Sequence, residues 1–97
     1  MKKFNRNLLP TPIDTLNKLG IKIVRSNSSG YLILRCPVHK EGKEKRPSLN
    51  LHQKSGHFRC HSCGIKGSDI LAFYITVTGK TFKQSVTDLN GWEVKNG

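Results

Sequence analysis

The sequence predicts a small α+β domain that a bound metal ion stabilises, and three observations support this fold class. The chain has 97 residues, 35% of them hydrophobic, so it can bury only a modest core. All three cysteines lie between positions 36 and 63, close to histidines. Segments with strand alternation and segments with helical periodicity surround that stretch. A core of this size needs reinforcement, and a metal site would supply it.

Two pairs of potential metal ligands, each with a two-residue gap, occur at Cys36-Pro37-Val38-His39 and Cys60-His61-Ser62-Cys63. Zinc takes four sulfur or nitrogen ligands at roughly 2.0 to 2.3 Å, and two such knuckles supply four. The sequence therefore predicts one structural Zn²⁺ in a tetrahedral site, with no position left for a catalytic water. The predicted ligands are Cys36, His39, Cys60 and Cys63. His61 and His57 are alternatives for the histidine ligand, but only His39 has knuckle spacing to a cysteine.

Other uses of the cysteines are less consistent with the pattern. Three cysteines cannot all pair as disulfides, and a redox Cys-x-x-Cys usually starts a helix after a strand in a larger α/β domain. Reduced, metal-bound cysteines indicate a cytoplasmic location. The basic N-terminus lacks the apolar core of a signal peptide, and no stretch approaches the ~20 apolar residues of a transmembrane helix.

The charge balance predicts a polyanionic partner. Seventeen Lys and Arg residues against six Asp and Glu give a formal net charge of +11. Nucleic acid is favoured over an acidic protein surface, and no predicted helix has the basic and broad apolar faces that bind membranes. The carboxylates fit helix starts or a charged loop, so no acidic cluster remains for the two metal ions of nucleotidyl transfer. We therefore expect no enzyme activity and no small-molecule substrate.

One helix and two strands are predicted before the first knuckle. Thr11 and Pro12 suit the cap and first turn of a helix that ends at Gly20. Its apolar stripe is predicted to be Ile13, Leu16 and Leu19. Residues 21–25 and 31–35 predict two strands joined by a hairpin loop. The second strand leads directly to Cys36.

A second pair of strands is predicted to connect the two knuckles. Residues 40–46 form a charged loop that we expect to be mobile without a ligand. Residues 48–52 and 57–60 alternate as strands that return the chain to the second knuckle. Gly64 and Gly67 follow, at positions where positive φ angles are expected.

Two helices are predicted after the second knuckle. Ser68 caps the first, with Asp69 in its first turn, and Gly79 ends it. Thr81 and Gln84 predict a capping box for the second. Its apolar face is predicted to be Phe82, Val86 and Leu89, with Trp92 packed near its end.

Strand alternation divides the predicted sheet into two faces. One face is apolar, with Leu32, Leu34, Leu49, Leu51 and Phe58. The other mixes rings, guanidinium groups and polar side chains, with Tyr31, Ile33, Arg35, Asn50, His52, His57 and Arg59. Rings and guanidinium planes stack on unpaired bases and cations neutralise phosphates, so this face predicts binding of single strands. The predicted nucleic-acid-binding residues are Tyr31, Arg35, Arg46, Asn50, His52, His57, Arg59 and Lys66. The alternative interpretation is an ordinary solvated sheet face.

Four motifs in a fixed order resemble the zinc-binding domain of bacterial and phage DNA primases. They lie at 36–39, 46–49, 58–73 and 82–86, and the resemblance covers about residues 13 to 89. It implies a zinc ribbon whose exposed sheet contacts a single-stranded template. The metal ligands that it implies are Cys36, His39, Cys60 and Cys63. The 40–46 loop is longer than is usual in the family, and the catalytic polymerase domain of the family has no counterpart in this chain.

We therefore expect residues 1–97 to form a single zinc-ribbon domain, with a basic flexible lead (1–10), a primase-like zinc-binding region (11–90) and a tail (91–97). The expected function is single-stranded DNA binding and template recognition for primer synthesis, beside a polymerase or primase catalytic subunit in trans. Such a protein suits a phage, plasmid or other mobile element, and the start at Met1 favours a complete chain. The alternative function is a zinc-stabilised docking or regulatory protein with weak DNA contact. Its surface would comprise Tyr74, Phe82 and Trp92.

Overall fold

The computed structural model describes residues 3–38 and 47–93. In these ranges the strands are β1 (Lys3–Phe4), β2 (Ile23–Ser26), β3 (Tyr31–Leu34), β4 (Leu49–His52), β5 (Phe58–Cys60), β6 (Lys66–Gly67) and β7 (Trp92–Glu93). The helices are a 3-10 helix (Arg6–Leu8), α1 (Pro12–Leu19), α2 (Ile70–Thr78) and α3 (Phe82–Asp88). Strands β2 to β6 form one antiparallel sheet in chain order, and β1 pairs with β7 in another. The predicted α+β fold class is confirmed. None of the helices in the described ranges is long and apolar enough to cross a membrane.

Helix α1 begins after its predicted cap, Thr11, but its buried face differs from the prediction. Leu16 is fully buried and Leu19 is half-buried, whereas Ile13 is 41% exposed. Thr15 takes the inward position instead, with its hydroxyl donating a 2.9 Å hydrogen bond to the Thr11 carbonyl. Because this bond satisfies the hydroxyl, a threonine can occupy a core position that hydrophobic periodicity does not reveal.

The five-stranded sheet buries the predicted apolar face. Leu32 lies opposite Leu51, and both are buried with the rest of that face. The cluster beneath the sheet comprises Leu16, Leu32, Leu34, Cys36, Leu49, Leu51, Phe58, Cys60 and Phe73. The ring of Phe58 meets that of Phe73 in α2 edge-on, with centroids 5.1 Å apart. The helices therefore cover one side of the sheet and leave the other side open.

The glycines that follow the second knuckle have different roles. Gly64 has the expected positive φ, at 81°, whereas Gly67 is absent from the described glycines with positive φ. A Cβ on Gly67 would lie 2.4 Å from the ring of Phe58. Gly67 is therefore needed for space and not for backbone conformation, which corrects the prediction at this position.

The cap of α2 is Asp69 and not the predicted Ser68. Asp69 Oδ1 accepts a 2.8 Å hydrogen bond from the Ala72 N–H, and Arg6 forms an ion pair with the same carboxylate. A carboxylate is favoured here because it also interacts with the positive end of the helix dipole. The ion pair links the N-terminal segment to the start of α2.

A second apolar cluster lies between α2 and α3. It comprises Ile70, Leu71, Tyr74, Val86 and Leu89. The capping box predicted for α3 is present. Phe82, however, is 47% exposed and meets the Phe4 ring edge-on, because it is the first residue of the helix and extends past the core. Trp92 packs near the helix end as predicted, and its Nε1 donates to Thr87 Oγ1 at 2.9 Å.

The N-terminal segment is folded where the sequence predicts a flexible lead. Phe4 lies opposite Trp92 in the two-stranded sheet, and the Asn5 N–H donates to the Gly91 carbonyl at 2.9 Å. Strands of two residues are too short to show alternation, so the sequence carries no local signal for this pairing. The predicted charged loop at 40–46 lies outside the described residues.

Candidate metal centre and sheet surface

Three cysteine side chains converge at one end of the five-stranded sheet. Cys36 follows β3, Cys60 ends β5 and Cys63 lies in the turn after β5. Their sulfur atoms all lie within 4.8 Å of one another, and the Sγ atoms of Cys36 and Cys63 are 3.6 Å apart. Tetrahedral zinc with Zn–S bonds of about 2.3 Å separates its sulfur ligands by about 3.8 Å. The three thiols therefore fit one zinc ion.

The backbone of the second knuckle brings Cys63 back toward Cys60. The Gly64 N–H donates to the Cys60 carbonyl at 3.0 Å, and the Cys60 N–H donates to the Ile65 carbonyl at 2.8 Å. The positive φ of Gly64 closes this turn without steric strain. The local backbone therefore places Cys60 and Cys63 on the same side of the turn, as a shared metal ion requires.

Hydrogen bonds prepare Cys60 to bind a cation. Burial alone would raise the pKa of this thiol, but the Ser48 hydroxyl at 3.3 Å and the N–H groups of Cys63 and Ser62 outweigh that effect. Together they lower the pKa of Cys60 from 9.0 to about 7. Because the thiolate is the form that binds zinc, the surroundings of Cys60 favour a metal ligand.

The fourth ligand remains a prediction. His39 lies outside the described residues. His57 and His61 are described, and in the described ranges the cysteine cluster includes neither of them. Nε2 of His61 lies instead 3.3 Å from Nδ2 of Asn50, on the open face of the sheet. These positions leave His39 as the ligand best suited by its spacing.

A row of neighbouring residues crosses four strands on the open face of the sheet, and it is polar on three of them. Ile33 in β3 lies opposite Asn50 in β4, Asn50 opposite Arg59 in β5, and Arg59 opposite Lys66 in β6. Arg59 and Lys66 are exposed, and Asn50 is half-buried. Residues directly opposite each other have neighbouring side chains on one face. Three of the predicted nucleic-acid-binding residues are therefore contiguous.

Tyr31 and His52 lie opposite each other at the far end of this face from the cysteines, with ring centroids 5.1 Å apart in an edge-on arrangement. Nδ1 of His52 accepts hydrogen bonds from two backbone N–H groups of the β4–β5 turn, each at 3.2 Å. This imidazole therefore holds the turn as well as facing Tyr31. Arg35 follows β3 and is exposed, whereas Arg46 lies outside the described residues.

A cavity of about 210 Å³ opens on the same face. It is lined by Tyr31, Asn50, His57, Arg59 and His61. Its position inside the second knuckle makes His61 an alternative metal ligand in sequence, and the structure places it on this face instead. The His61 N–H donates to the Ser48 carbonyl at 2.9 Å, which extends the β4–β5 pairing beyond the end of β5. Continuing the alternation from His57 through Arg59 would have placed His61 on this face.

The surface predicted for the alternative docking function is only partly exposed. Tyr74 is 4% exposed, and its hydroxyl donates to Asp88 at 2.7 Å. Trp92 is half-buried, so Phe82 is the most accessible of the three aromatic residues. The expected docking surface is therefore wrong with respect to Tyr74, because this side chain fills the second apolar cluster.

An antiparallel sheet with converging cysteines at one end defines the class of zinc ribbons. The family described as CHC2 zinc finger, the zinc ribbon of DnaG, matches residues 11–94. The chain belongs to this family, and its cysteine cluster is the site of a structural Zn²⁺. The resemblance predicted from the motifs is confirmed.

Two DNA primases illustrate the relationship. The chain is 31% identical to the DNA primase of Chlamydia trachomatis serovar D over 74 residues, which are 76% of this chain and 12% of the relative. It is 37% identical to that of Mycobacterium tuberculosis over 51 residues, which are 53% of this chain and 7% of the relative. The chain thus matches the zinc-binding domain of these relatives and spans a small fraction of their length.

Proposed function

We propose that this protein binds single-stranded DNA on the open face of its five-stranded sheet and recognises the template for primer synthesis. The cavity of about 210 Å³ on that face carries the proposal. Drug-sized ligands occupy cavities of about 300 to 1,000 Å³, whereas this smaller space suits a single planar base. A tyrosine, two histidines and an arginine around it offer the flat surfaces on which unpaired bases stack.

The charges around the cavity suit the backbone of the strand. Arg59 lines the cavity, and its neighbour Lys66 extends the positive surface to the sheet edge. The whole chain has a formal net charge of +11. Phosphate neutralisation by these cations supplies affinity without reading sequence, while Asn50 offers an amide that can read a base edge.

The proposed role is that of an accessory without its own polymerase centre. Asp69 caps α2 and pairs with Arg6, and Asp88 pairs with Lys80. Asp69 and Asp88 are thus engaged in structural contacts, and among the described residues the cysteines form the group of three or more potential metal ligands, whereas nucleotidyl transfer needs clustered carboxylates to hold two metal ions. The relatives' name, DNA primase, supports a polymerase or primase catalytic subunit in trans as the partner.

The proposal extends to the organisation of the chain. Residues 1–97 would form one domain, with the zinc-binding region at 11–90 and His39 completing the metal site with the three cysteines. Reduced cysteines in such a site suit the cytoplasm.

Binding of single strands and duplexes tests the proposal directly. The zinc-loaded protein is titrated into labelled single-stranded and double-stranded DNA of equal length, and fluorescence anisotropy is recorded at several salt concentrations. We expect preference for the single strand and a steep loss of affinity with salt. Arg59→Ala and Tyr31→Ala should each weaken binding by about 1 to 3 kcal/mol, or roughly five- to 150-fold in Kd.

Lys18→Ala is the matched control for Arg59→Ala. Lys18 lies on α1 and acts on the charge of Asp88 in the helix layer, so its removal changes the net charge equally without touching the open face. Equal affinity of the folded, zinc-loaded Arg59→Ala and Tyr31→Ala variants and the wild type would reject this face as the binding surface.

A further inference from the structure

A groove of about 490 Å³ lies beside the β4–β5 turn, next to the starts of α1 and α2. Arg6, Leu9 and Pro10 line one side, and Lys54 and Ser55 of the turn line another. Arg6, Leu9 and Pro10 precede position 11, where the match to the CHC2 zinc finger family begins. Part of this groove is therefore built by a segment outside the family match.

The groove combines apolar walls with positive charge. Leu9 and Pro10 provide apolar surface, and Lys54 stands exposed at the margin. Arg6 already pairs with Asp69, whereas the ion pairs found among residues 3–38 and 47–93 do not involve Lys54. The Asp69 carboxylate also lines the groove, but Arg6 neutralises it, so the groove offers apolar surface for a base and one further cation, Lys54, for a phosphate.

A single turn separates the groove from the cavity on the sheet face. Ser55 lines the groove, and its Oγ accepts a 3.2 Å hydrogen bond from the N–H of His57, which lines the cavity. His52 holds the same turn through its Nδ1, so the two sites are joined by an ordered piece of backbone. Lys54 lies in this same turn, between His52 and His57.

We propose that this groove is a second subsite for the same single strand. It takes a nucleotide beyond those on the sheet face, with a phosphate on Lys54 and a base against the wall of Leu9 and Pro10. The subsite rests on the proposed function, because it extends the binding surface of the sheet. A phosphodiester chain is favoured over a peptide because its charge complements that of Lys54 and of the chain as a whole.

The length of the bound strand provides the test. Mixed-sequence single strands of about four to about twelve nucleotides are titrated against the full zinc-loaded chain, its Lys54→Ala variant and the Lys18→Ala control at several salt concentrations. Wild-type affinity should rise with length beyond the strands that fill the sheet face. Lys54→Ala should bind short strands normally, lose that increase, and show a salt slope smaller by about 0.7 with long strands.

The outcomes separate the subsite from the proposed function. If Lys54→Ala follows the wild type at every length while Arg59→Ala loses affinity, the groove is not a subsite and the sheet face stands. If the wild type binds no single strand of any length, both proposals fail. A second measurement uses wild-type protein alone, with NMR shifts of the Arg6 and Leu9 amides, which belong to the groove but not to the β4–β5 turn that His52 holds. Long strands should move these signals and short strands should not, and equal shifts with both would overturn the subsite.

Discussion

In β5, Phe58 and Arg59 are neighbours in sequence with opposite surroundings. Phe58 is fully buried against Phe73, whereas Arg59 is exposed beside Asn50. The same division holds across the sheet, because successive residues of a strand point to opposite faces. A slip of one residue in register would exchange the two sets. Core and proposed binding surface are therefore specified together, and substitutions can separate their roles.

Removal of zinc should abolish both the fold and the binding of single strands, so its effect should be the largest. The cysteines hold the ends of β3 and β5 together, and zinc contributes on the order of 10 kcal/mol to the folding of such small domains. We expect the metal-free protein to be largely unfolded, with no thermal transition in circular dichroism and no binding of single strands. Restoring zinc should restore both signals.

An identical melting curve before and after complete chelation, with metal loss verified by elemental analysis, would contradict the zinc prediction. It would mean that the two apolar clusters alone support the fold. The buried face and the open face would then belong to a sheet that folds without metal.

Phe58→Ala and Arg59→Ala should separate stability from binding. Truncation of a buried phenylalanine costs about 3 to 5 kcal/mol, since it leaves a cavity beneath the sheet. Urea unfolding of the zinc-loaded Phe58→Ala variant should show this loss, while its folded fraction keeps the wild-type Kd for single strands. Arg59→Ala should leave the free energy of unfolding unchanged and raise the Kd for single strands.

Phe58→Leu keeps this comparison informative if Phe58→Ala does not fold. Leucine fills more of the space and should cost less stability, so that binding can be measured on a folded protein. A loss of affinity by folded Phe58→Leu as large as that of Arg59→Ala would show that the two faces are not independent.

The sequence predicts the three-cysteine part of the metal centre and the faces of the sheet because short patterns carry both. Knuckle spacing brings Cys60 and Cys63 together, and the pairing of β3, β4 and β5 that alternation indicates carries Cys36 to them. Alternation over four residues is long enough to assign the faces of β3 and β4. Capping at Thr11 and Thr81 likewise depends on the next few residues only.

The errors arise where strand pairings or side-chain hydrogen bonds that sequence periodicity does not show decide the outcome. The pairing of Phe4 with Trp92 joins the two ends of the described chain, and strands of two residues have no periodicity to detect. Thr15 is buried and Ile13 is exposed, because a hydrogen bond to the preceding turn makes the threonine suitable for burial. The sequence offers His61 only as an alternative metal ligand, since its place on the sheet face requires the pairing with β4 to be known.

The smallest predicted effect acts on the helix layer and should leave the open face unaffected. The Lys80 ammonium and the Tyr74 hydroxyl both donate to Asp88, and these contacts hold the pKa of that carboxyl below its usual value near 3.8. A carboxylate with a lowered pKa contributes stability above its unfolded-state pKa, and that contribution is lost as the pH falls through the folded-state pKa. Asp88 should therefore stabilise the protein at neutral pH and cease to do so in acid.

Asp88→Asn isolates this contribution, because asparagine keeps an acceptor for the Tyr74 hydroxyl but carries no charge for Lys80. Acid also protonates the zinc ligands, so the informative quantity is the difference in Tm between wild type and variant at each pH. That difference should be present at neutral pH and vanish as the pH falls below about 4. A Tm difference that is constant with pH would show that the ionised carboxylate is not its cause.

Affinity for single strands at neutral pH should be the same in wild type and Asp88→Asn, since Asp88 lies in the helix layer that covers the buried face. A change in affinity would mean that the helices and the open face are coupled.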